Sequence, residues 1–154
     1  MQTAWVVPDI EATERFFVEH FGVKKWVRLT DIHFAPETCT YRDEPADFVI
    51  HVSLAYLGDM QLELIQPVRG ESIYADYLRD HGGGLHHLCM VPEDFDAAIA
   101  AADKVGIAQR GSMADGAMQF AYVDGAHVGV PYIELAKLEP MMSDFFESIR
   151  EQTT

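Results

Sequence analysis

The segment GLHHLCMVPED, residues 84–94, decides the fold because it repeats the opening of the chain, MQTAWVVPD, residues 1–9. In both segments a short apolar run ends at a proline, and a pattern typical of a helix follows. Gln2 in the first segment corresponds to His87 in the second, at an offset of 85 residues. A repeat of this kind indicates that one supersecondary unit has been duplicated.

The later parts of the two halves also correspond. Gly22 and Gly106 follow the two predicted helices at an offset of 84 residues, and glycine commonly ends a helix. Near the end of each half, QLEL at residues 61–64 resembles YIEL at residues 132–135. Because the matches keep the same order, the sequence predicts an α+β fold of two βαβββ modules whose curved mixed sheets form a cleft.

The expected elements divide the chain into four consecutive parts of one compact domain. These parts are a first module at 1–66, a connector with a short helix at 67–83, a second module at 84–138 and a C-terminal helix at 139–154. Residues 35–46 are polar and contain proline and aspartate, which predicts a loop. Pro67 is expected to end the last strand of the first module, and the second module's helix is expected at 92–105.

The composition is that of an ordinary globular protein, with 49% hydrophobic and 23% charged residues in a chain of 154. The formal charge of −14 disfavours nucleic acid and anionic lipid as partners, because both require clustered cations. No apolar run is long enough for a membrane span, and the N-terminus lacks the features of a signal peptide. Cys39 and Cys89 are too few and too far apart for a disulfide framework or a cysteine zinc motif. We therefore expect a cytoplasmic protein.

Two small groups of basic residues interrupt the acidic composition. Lys24, Lys25 and Arg28 form one group, and Arg69 with Arg79 forms another. Each is consistent with a local anion site or with a few solvated cations. If the substrate carried coenzyme A, Lys24, Lys25 or Arg79 would be the residues to contact it.

Two glutamates occupy corresponding places in the two modules. Glu63 and Glu134 each lie between two apolar residues. Since alternate residues of a strand share a face, each carboxylate points away from its apolar neighbours. Taken singly, either is explained by a solvent-facing position on an antiparallel sheet. Related by a pseudo-twofold axis, the two carboxylates would instead face one cleft.

The opening strands of the two modules add Gln2 and His87. With Glu63 and Glu134 they offer one amide oxygen, one imidazole and two carboxylates, a set that suits a divalent Zn, Ni, Co or Mn ion. Four protein ligands on an octahedral ion leave two positions for water or a bidentate substrate. His86 precedes His87 on the same strand, so we expect it to face the other way and to pack or hydrogen-bond there.

These residues resemble the vicinal oxygen chelate superfamily, which includes glyoxalase I, methylmalonyl-CoA epimerase, extradiol dioxygenases and bleomycin-resistance proteins. The segments that carry the resemblance span nearly the whole chain and are VVPDIEA at 6–12, LELIQP at 62–67, GLHHL at 84–88 and YIEL at 132–135. The chain is most similar to methylmalonyl-CoA epimerase-like proteins. The resemblance implies a glyoxalase-like fold, a homodimer, and a divalent metal at Gln2, Glu63, His87 and Glu134.

The chain departs from the epimerase pattern at two positions. The first ligand position holds Gln2, whereas the epimerases carry histidine there. A glutamine at this position is similar to the ligand set of some zinc-type glyoxalase I enzymes. The position of a second carboxylate base holds Ser53, which lacks the group that two-base epimerisation requires. The nearby His51 is our candidate for a second acid or base.

The expected chemistry is metal-assisted proton abstraction next to a carbonyl, by an isomerase or lyase that is epimerase-like or glyoxalase I-like. Glu134 is the expected base, since the resemblance implies that this ligand can loosen and take the proton. The substrate is expected to be a small carbonyl or acyl compound. The residues expected to line its pocket are Trp5, Ser53, Phe120, Tyr122 and Tyr132.

Two alternatives remain open. A metal-free protein of the same fold would use the cleft alone to bind or sequester a small molecule. An extradiol dioxygenase would need two histidines and one carboxylate for Fe(II). The constellation has the single histidine His87, which makes the dioxygenase the less favoured of the two alternatives.

Overall fold

The computed structural model describes residues 1–154 as a ten-stranded mixed sheet, curled into a half-barrel, with four α-helices. The strands are β1 (Gln2–Val6), β2 (Val27–Phe34), β3 (Cys39–Tyr41), β4 (Glu44–Pro45), β5 (Phe48–Leu57), β6 (Met60–Arg69), β7 (Gly84–Met90), β8 (Ile107–Met113), β9 (Met118–Asp124) and β10 (Tyr132–Leu138). The helices are α1 (Ile10–Phe21), α2 (Ile73–His81), α3 (Phe95–Ala102) and α4 (Pro140–Thr153), with a 3-10 turn at Ala126–Val128. No helix combines the length and the apolar character that a membrane crossing requires.

The two modules join edge to edge at the centre of the sheet. The strand order is β2-β5-β6-β1-β7-β10-β9-β8-β3-β4. β1 runs parallel to β6 and β7 runs parallel to β10, whereas the antiparallel pairing of β1 with β7 connects the modules. The predicted α+β fold of two βαβββ modules is confirmed.

The strand register carries the same internal symmetry as the sequence. Ala4 lies opposite Glu63 in the first module, and Cys89 lies opposite Glu134 in the second. The two glutamates therefore hold the same place relative to the opening strand of their module. Gln2 lies two residues before Ala4 on β1, and His87 lies two residues before Cys89 on β7. These are the positions that the sequence repeat matched, so four strand positions converge on the centre of the sheet.

The helices that follow the opening strands start in the same way. The Asp9 carboxylate accepts a hydrogen bond from the Ala12 amide at 2.9 Å, and the Asp94 carboxylate accepts one from the Ala97 amide at 2.9 Å. These bonds satisfy amide groups that have no partner within the helix. Gly22 ends α1 with φ 77°, as predicted. α3 is shorter than the predicted range, 92–105.

Side chains alternate between the two faces of the sheet, and each face has its own apolar layer. On the convex face, α1 packs against β1 and β6 through Val7, Ile10 and Leu64. On the concave face, the main core includes Phe48 and Phe120, and α4 closes over it through Ile149. The concave face is therefore covered by helix α4 rather than open to solvent.

The prediction of a loop at 35–46 was wrong, because these residues contain the hairpin of β3 and β4. Arg42 and Asp43 adopt left-handed φ angles of 51° and 66° at its turn. β3 pairs with β8 of the second module, with Cys39 opposite Gly111. This pairing joins residues far apart in the sequence, so the local polar composition did not reveal it.

Pro67 does not end β6, which continues to Arg69. Pro67 lies opposite Ile50, beside a shift in the β5–β6 register. The β1 pairing of β6 stops at Ile65. Pro67 therefore stands where β6 has only one partner strand, a place in which a missing amide hydrogen is tolerated.

Candidate active site

Four polar side chains meet on the concave face, one from each of the four central strands. His87 Nε2 lies 3.0 Å from Glu134 Oε2 and 3.4 Å from Glu63 Oε2. The side chains of His87 and Glu134 are 0% and 3% exposed, and that of Glu63 is 14% exposed. Gln2 is buried beside them. Two carboxylates and an imidazole are thus held together where little water reaches them.

Charge within this cluster is partly balanced by a proton. Burial alone would lower the pKa of His87, but the adjacent carboxylates of Glu134 and Glu63 raise it to about 9. Burial raises the pKa of Glu63, and His87 opposes that rise. At neutral pH the imidazolium of His87 therefore offsets part of the carboxylate charge, which the apolar surroundings do not stabilise.

The residues present fit a divalent cation. His87 Nε2 makes no hydrogen bond of acceptable geometry, although two carboxylates flank it. Atoms that bind one ion at about 2.1 Å lie about 3.0 to 3.4 Å from one another in octahedral or tetrahedral coordination. Both measured separations fall in this range. No three His, Cys, Asp or Glu side chains already stand in ligand geometry, so small rotations of the carboxylates would accompany binding.

Gln2 is held by a short chain of hydrogen bonds. Its Nε2 donates to Gln61 Oε1 at 2.9 Å, and Gln61 Nε2 donates to the Tyr56 hydroxyl at 2.9 Å. The bond to Gln61 uses the amide nitrogen of Gln2, which cannot bind a cation. The amide oxygen is left as the donor atom for an ion.

His86 and His87 do not face opposite sides of the sheet, so that part of the prediction was wrong. Ala4 lies opposite His87 and Trp5 lies opposite Leu85, which makes His86 an extra, bulged residue of β7. Both imidazoles are fully buried, with their Nδ1 atoms 3.0 Å apart. A β-bulge adds one residue to one strand and re-aims its side chain, which explains how the two rings meet.

The contact between the two imidazoles assigns roles to their nitrogens. Burial and the neighbouring His87 lower the pKa of His86 to about 2, so this ring stays neutral. A neutral His86 can accept the Nδ1 proton of His87. His87 Nε2 is then the nitrogen that faces the two carboxylates.

The cluster forms one wall of an apolar cavity of about 70 Å³. Of its 18 lining residues 15 are hydrophobic, and the three polar ones are Gln2, Glu63 and Glu134. Phe120 and Tyr122, two of the residues predicted to line a substrate pocket, line this cavity. Burial raises the pKa of Tyr122 well above its usual range, with Glu134 adding to the effect. The phenol therefore remains protonated beside the carboxylates.

The other predicted pocket residues lie elsewhere. Trp5 packs against Phe17 of α1 on the convex face, with ring centroids 5.3 Å apart. Ser53 lies on the same face and donates to the Glu14 carboxylate. Tyr132 packs behind His86, at a centroid distance of 4.9 Å. The structure does not bring these three side chains to the cavity.

His51 is also directed away from the cavity. Ile50 and Val52 line the cavity, so His51 between them faces the other side of β5. Its Nδ1 accepts a hydrogen bond from the Asp31 amide at 3.0 Å. Asp31 has φ 56° and lies where the β2–β5 register shifts. His51 thus supports a bulge in β2, and its position does not support a role as second acid or base.

Sequence reasoning missed two parts of the cavity wall. Tyr74, on α2 in the connector, donates a hydrogen bond from its hydroxyl to the Tyr122 hydroxyl at 2.8 Å, and it lines the cavity. Helix α4 contributes Met142, Phe145 and Phe146. The spacing of these α4 residues is that of an amphipathic helix, which was the available signal that the tail packs on the protein.

The predicted basic groups are mostly paired with acidic residues. Arg28 binds Glu11 at 2.7 Å and Glu14 at 2.6 Å. The remaining arginines of these groups are also in ion pairs: Arg69 with Asp47, and Arg79 with Asp76 and Asp80. Lys24 donates to the backbone oxygen of Thr154. None of these cations lines the cavity.

Family comparison agrees with the fold and the arrangement of the four strands. Residues 1–122 match the profile of the Glyoxalase/Bleomycin resistance protein/Dioxygenase superfamily. The match covers well over half of the chain, so this protein belongs to that superfamily. No curated protein sequence matches the chain.

Several solved structures share the fold. A hypothetical protein from Bacillus halodurans C-125 is similar with a TM-score of 0.62 and 19% identity, over 88% of this chain and 90% of that one. Methylmalonyl-CoA epimerase from Mycobacterium tuberculosis has a TM-score of 0.57 and 17% identity, over 93% of this chain and 89% of that one. Methylmalonyl-CoA epimerase from Streptomyces coelicolor in complex with 2-nitronate-propionyl-CoA has a TM-score of 0.53 and 17% identity, over 89% of this chain and 94% of that one. At these identities the likeness concerns the fold alone.

Proposed function

We propose that this protein is a metal-dependent isomerase or lyase that abstracts a proton next to a carbonyl group. The observation that carries the proposal is the position of His87 Nε2, which lacks a hydrogen bond and lies between the carboxylates of Glu63 and Glu134. Gln2, Glu63, His87 and Glu134 would hold one Zn, Ni, Co or Mn ion. When bound, the ion supplies positive charge that stabilises the negative charge developing on the substrate oxygens.

Glu134 is the proposed base. Its carboxylate is buried and borders the cavity, so a bound substrate would lie directly against it. A carboxylate within reach of the substrate can take the proton next to the carbonyl. Tyr122, protonated and bonded to Tyr74, would present a hydroxyl that can donate to the developing oxyanion.

The arrangement supports one base rather than two. Ser53 and His51 lie on the convex side of β5, away from the cavity. Glu134 would therefore both remove and return the proton, on one side of the substrate. This favours isomerisation or glyoxalase I-like chemistry over two-base epimerisation.

A metal-free binding protein is the second candidate. The observation that favours it is the largely hydrophobic wall of the cavity, which would hold an apolar ligand without any ion. The two candidates differ in what the buried carboxylates are for. A binder of apolar ligands has no use for Glu63 and Glu134 together, because the single imidazolium of His87 can balance only one of two buried carboxylates.

Proton exchange into a simple ketone tests the proposed chemistry. We expect protein loaded with Zn, Ni, Co or Mn to accelerate deuterium incorporation next to the carbonyl of acetoin in D₂O, followed by proton NMR. Glu134→Gln should lower the exchange rate at least about 100-fold, the scale of general base catalysis. The control is Met141→Ala on the exposed face of α4. Fully loaded protein that never exceeds the buffer rate would contradict the proposal.

We also propose that the protein acts as a cytoplasmic homodimer. β2 and β4 end the sheet and leave unpaired strand edges, which commonly pair or are covered in proteins. Light scattering of the purified protein would measure its mass in solution. A mass of one chain at micromolar concentration would contradict the dimer.

A further inference from the structure

The amide and carboxylate groups of the cavity lie together at the cluster. Gln2, Glu63 and Glu134 supply them, and the remaining wall is hydrophobic, with the mutually bonded hydroxyls of Tyr74 and Tyr122 as its other polar groups. A ligand that fits must therefore place its oxygens at the cluster and an apolar body against the rest. Apolar contact beyond the cluster adds affinity in proportion to the area removed from water.

Charge in the cavity restricts the ligand further. Glu63 and Glu134 would neutralise a divalent cation, and no lysine or arginine lines the wall. An anionic ligand would leave one buried negative charge without a partner, which is costly in an apolar site. A neutral ligand avoids this cost. The site therefore favours uncharged molecules over carboxylates.

Helix α4 limits the size of the ligand. Met142, Phe145 and Phe146 cover the concave face. The C-terminal end of α4 is tied to β5, where the Thr153 hydroxyl accepts from the Tyr56 amide at 3.2 Å and Arg150 stacks over the Tyr56 ring at 4.3 Å. The enclosed space of about 70 Å³ corresponds to roughly five water molecules, at about 10 to 15 Å³ each on this measure. A nucleotide cannot enter while α4 stays in place.

We propose that the cavity takes a compact, uncharged molecule with two adjacent oxygens at one end and a small alkyl body, such as a 2-hydroxyketone or a 1,2-diketone. Helix α4 is the wall that excludes acyl-CoA thioesters. The two adjacent oxygens rest on the proposed metal function. The preference for small molecules rests on the cavity wall, and the preference for uncharged molecules rests on the buried carboxylates and the absence of a lysine or arginine from that wall.

Phe146 lies between the cavity and a neighbouring outer groove and lines both. An outer groove of about 530 Å³ runs along α4 and includes Met90 and Arg150. The groove and the cavity share only Gln2, Met118 and Phe146 among their lining residues. Removing the Phe146 ring would therefore join the two spaces and admit longer ligands. Of these three residues Gln2 is a proposed ligand and Phe146 belongs to α4, the helix whose role is in question, so Phe146 is the residue to change.

Two ligand pairs matched in shape test the preference for uncharged molecules. Acetoin and lactate differ only in a methyl group against a carboxylate oxygen, as do butanone and propionate. We expect metal-loaded protein to bind acetoin at least about tenfold more tightly than lactate by calorimetry. In metal-free protein, ligand-observed NMR should still favour butanone over propionate. Equal or tighter binding of the anion in both pairs would overturn the inference.

The size limit is tested with propionyl-CoA. We expect no binding to the wild type or to Met141→Ala, and measurable binding to Phe146→Ala, with Phe146→Leu intermediate. Circular dichroism identifies any variant that fails to fold, and the wild-type result stands without the variants. Propionyl-CoA binding to the wild type as tightly as acetoin would overturn the role of α4. If the protein takes up no metal but still prefers butanone, that result contradicts the proposed metal-dependent function. The proposed selection for small, uncharged ligands would then still hold.

Discussion

At the residue scale, His87 depends on its neighbours for the role that we give it. Glu63 and Glu134 lie within 3.4 Å and 3.0 Å of its Nε2, and His86 touches its Nδ1 at 3.0 Å. A ring held from both sides has one orientation and one nitrogen free for an ion. The repeat identified His87 and both glutamates. It did not identify His86, because the bulge in β7 is invisible in the alternation of side chains.

We predict that His86 positions His87 through its Nδ1 acceptor. His86→Leu removes the acceptor and should weaken Co²⁺ or Zn²⁺ affinity about 10- to 100-fold, the usual effect of losing a partner behind a metal ligand. His86→Asn keeps an acceptor oxygen near the same place and should stay within a few-fold of the wild type. Competition with a chelator measures the affinity, and the visible spectrum of bound Co²⁺ reports the ligand geometry. Equal affinity and identical spectra in both variants would show that His86 only packs.

At the element scale, local patterns predicted most helices and strands, whereas long-range pairings decided the exceptions. Apolar runs that end at a proline identified β1 and β7, and glycines at the helix ends helped to identify α1 and α3, because these signals are local. The hairpin of β3 and β4 depends instead on pairing with β8 in the other module. The side of β5 that faces the cavity is set by the curl of the whole sheet. That is why His51, the candidate for a second acid or base, and Ser53, a predicted pocket residue, lie on the other side of β5 from the cavity.

Helix α4 supplies the prediction at this scale, because its docking closes the concave face. Ile149 is fully buried in the main core. Ile149→Ala should lower the free energy of unfolding by about 2–4 kcal/mol, through lost transfer energy and the cavity that remains. Met141 is 58% exposed on the same helix, so Met141→Ala should change it by less than about 0.5 kcal/mol. Urea unfolding measures both variants. An effect of Ile149→Ala no larger than that of the control would mean that α4 does not pack as described.

At the scale of the whole molecule, the duplicated module explains why the candidate site lies at the centre. Equivalent positions of β6 and β10 carry the glutamates, and the antiparallel contact of β1 with β7 brings the two halves together. The order of the matched segments was enough to predict this convergence. The closure of the cleft by α4 was not predictable from the repeat, since α4 follows the second module and lies outside the repeated βαβββ unit. Because the structural neighbours are only 17% identical to this chain, their likeness concerns the fold and does not extend to the substrate.

The metal content of protein purified without an affinity tag tests the central claim most directly. The comparison includes the wild type, Glu134→Ala, and Glu147→Ala as a control carboxylate on the exposed side of α4. We predict about one Zn, Ni, Co or Mn ion per chain in the wild type and the control, and little or none in Glu134→Ala. A wild type that holds no ion, even after incubation with each of the four, would contradict the account.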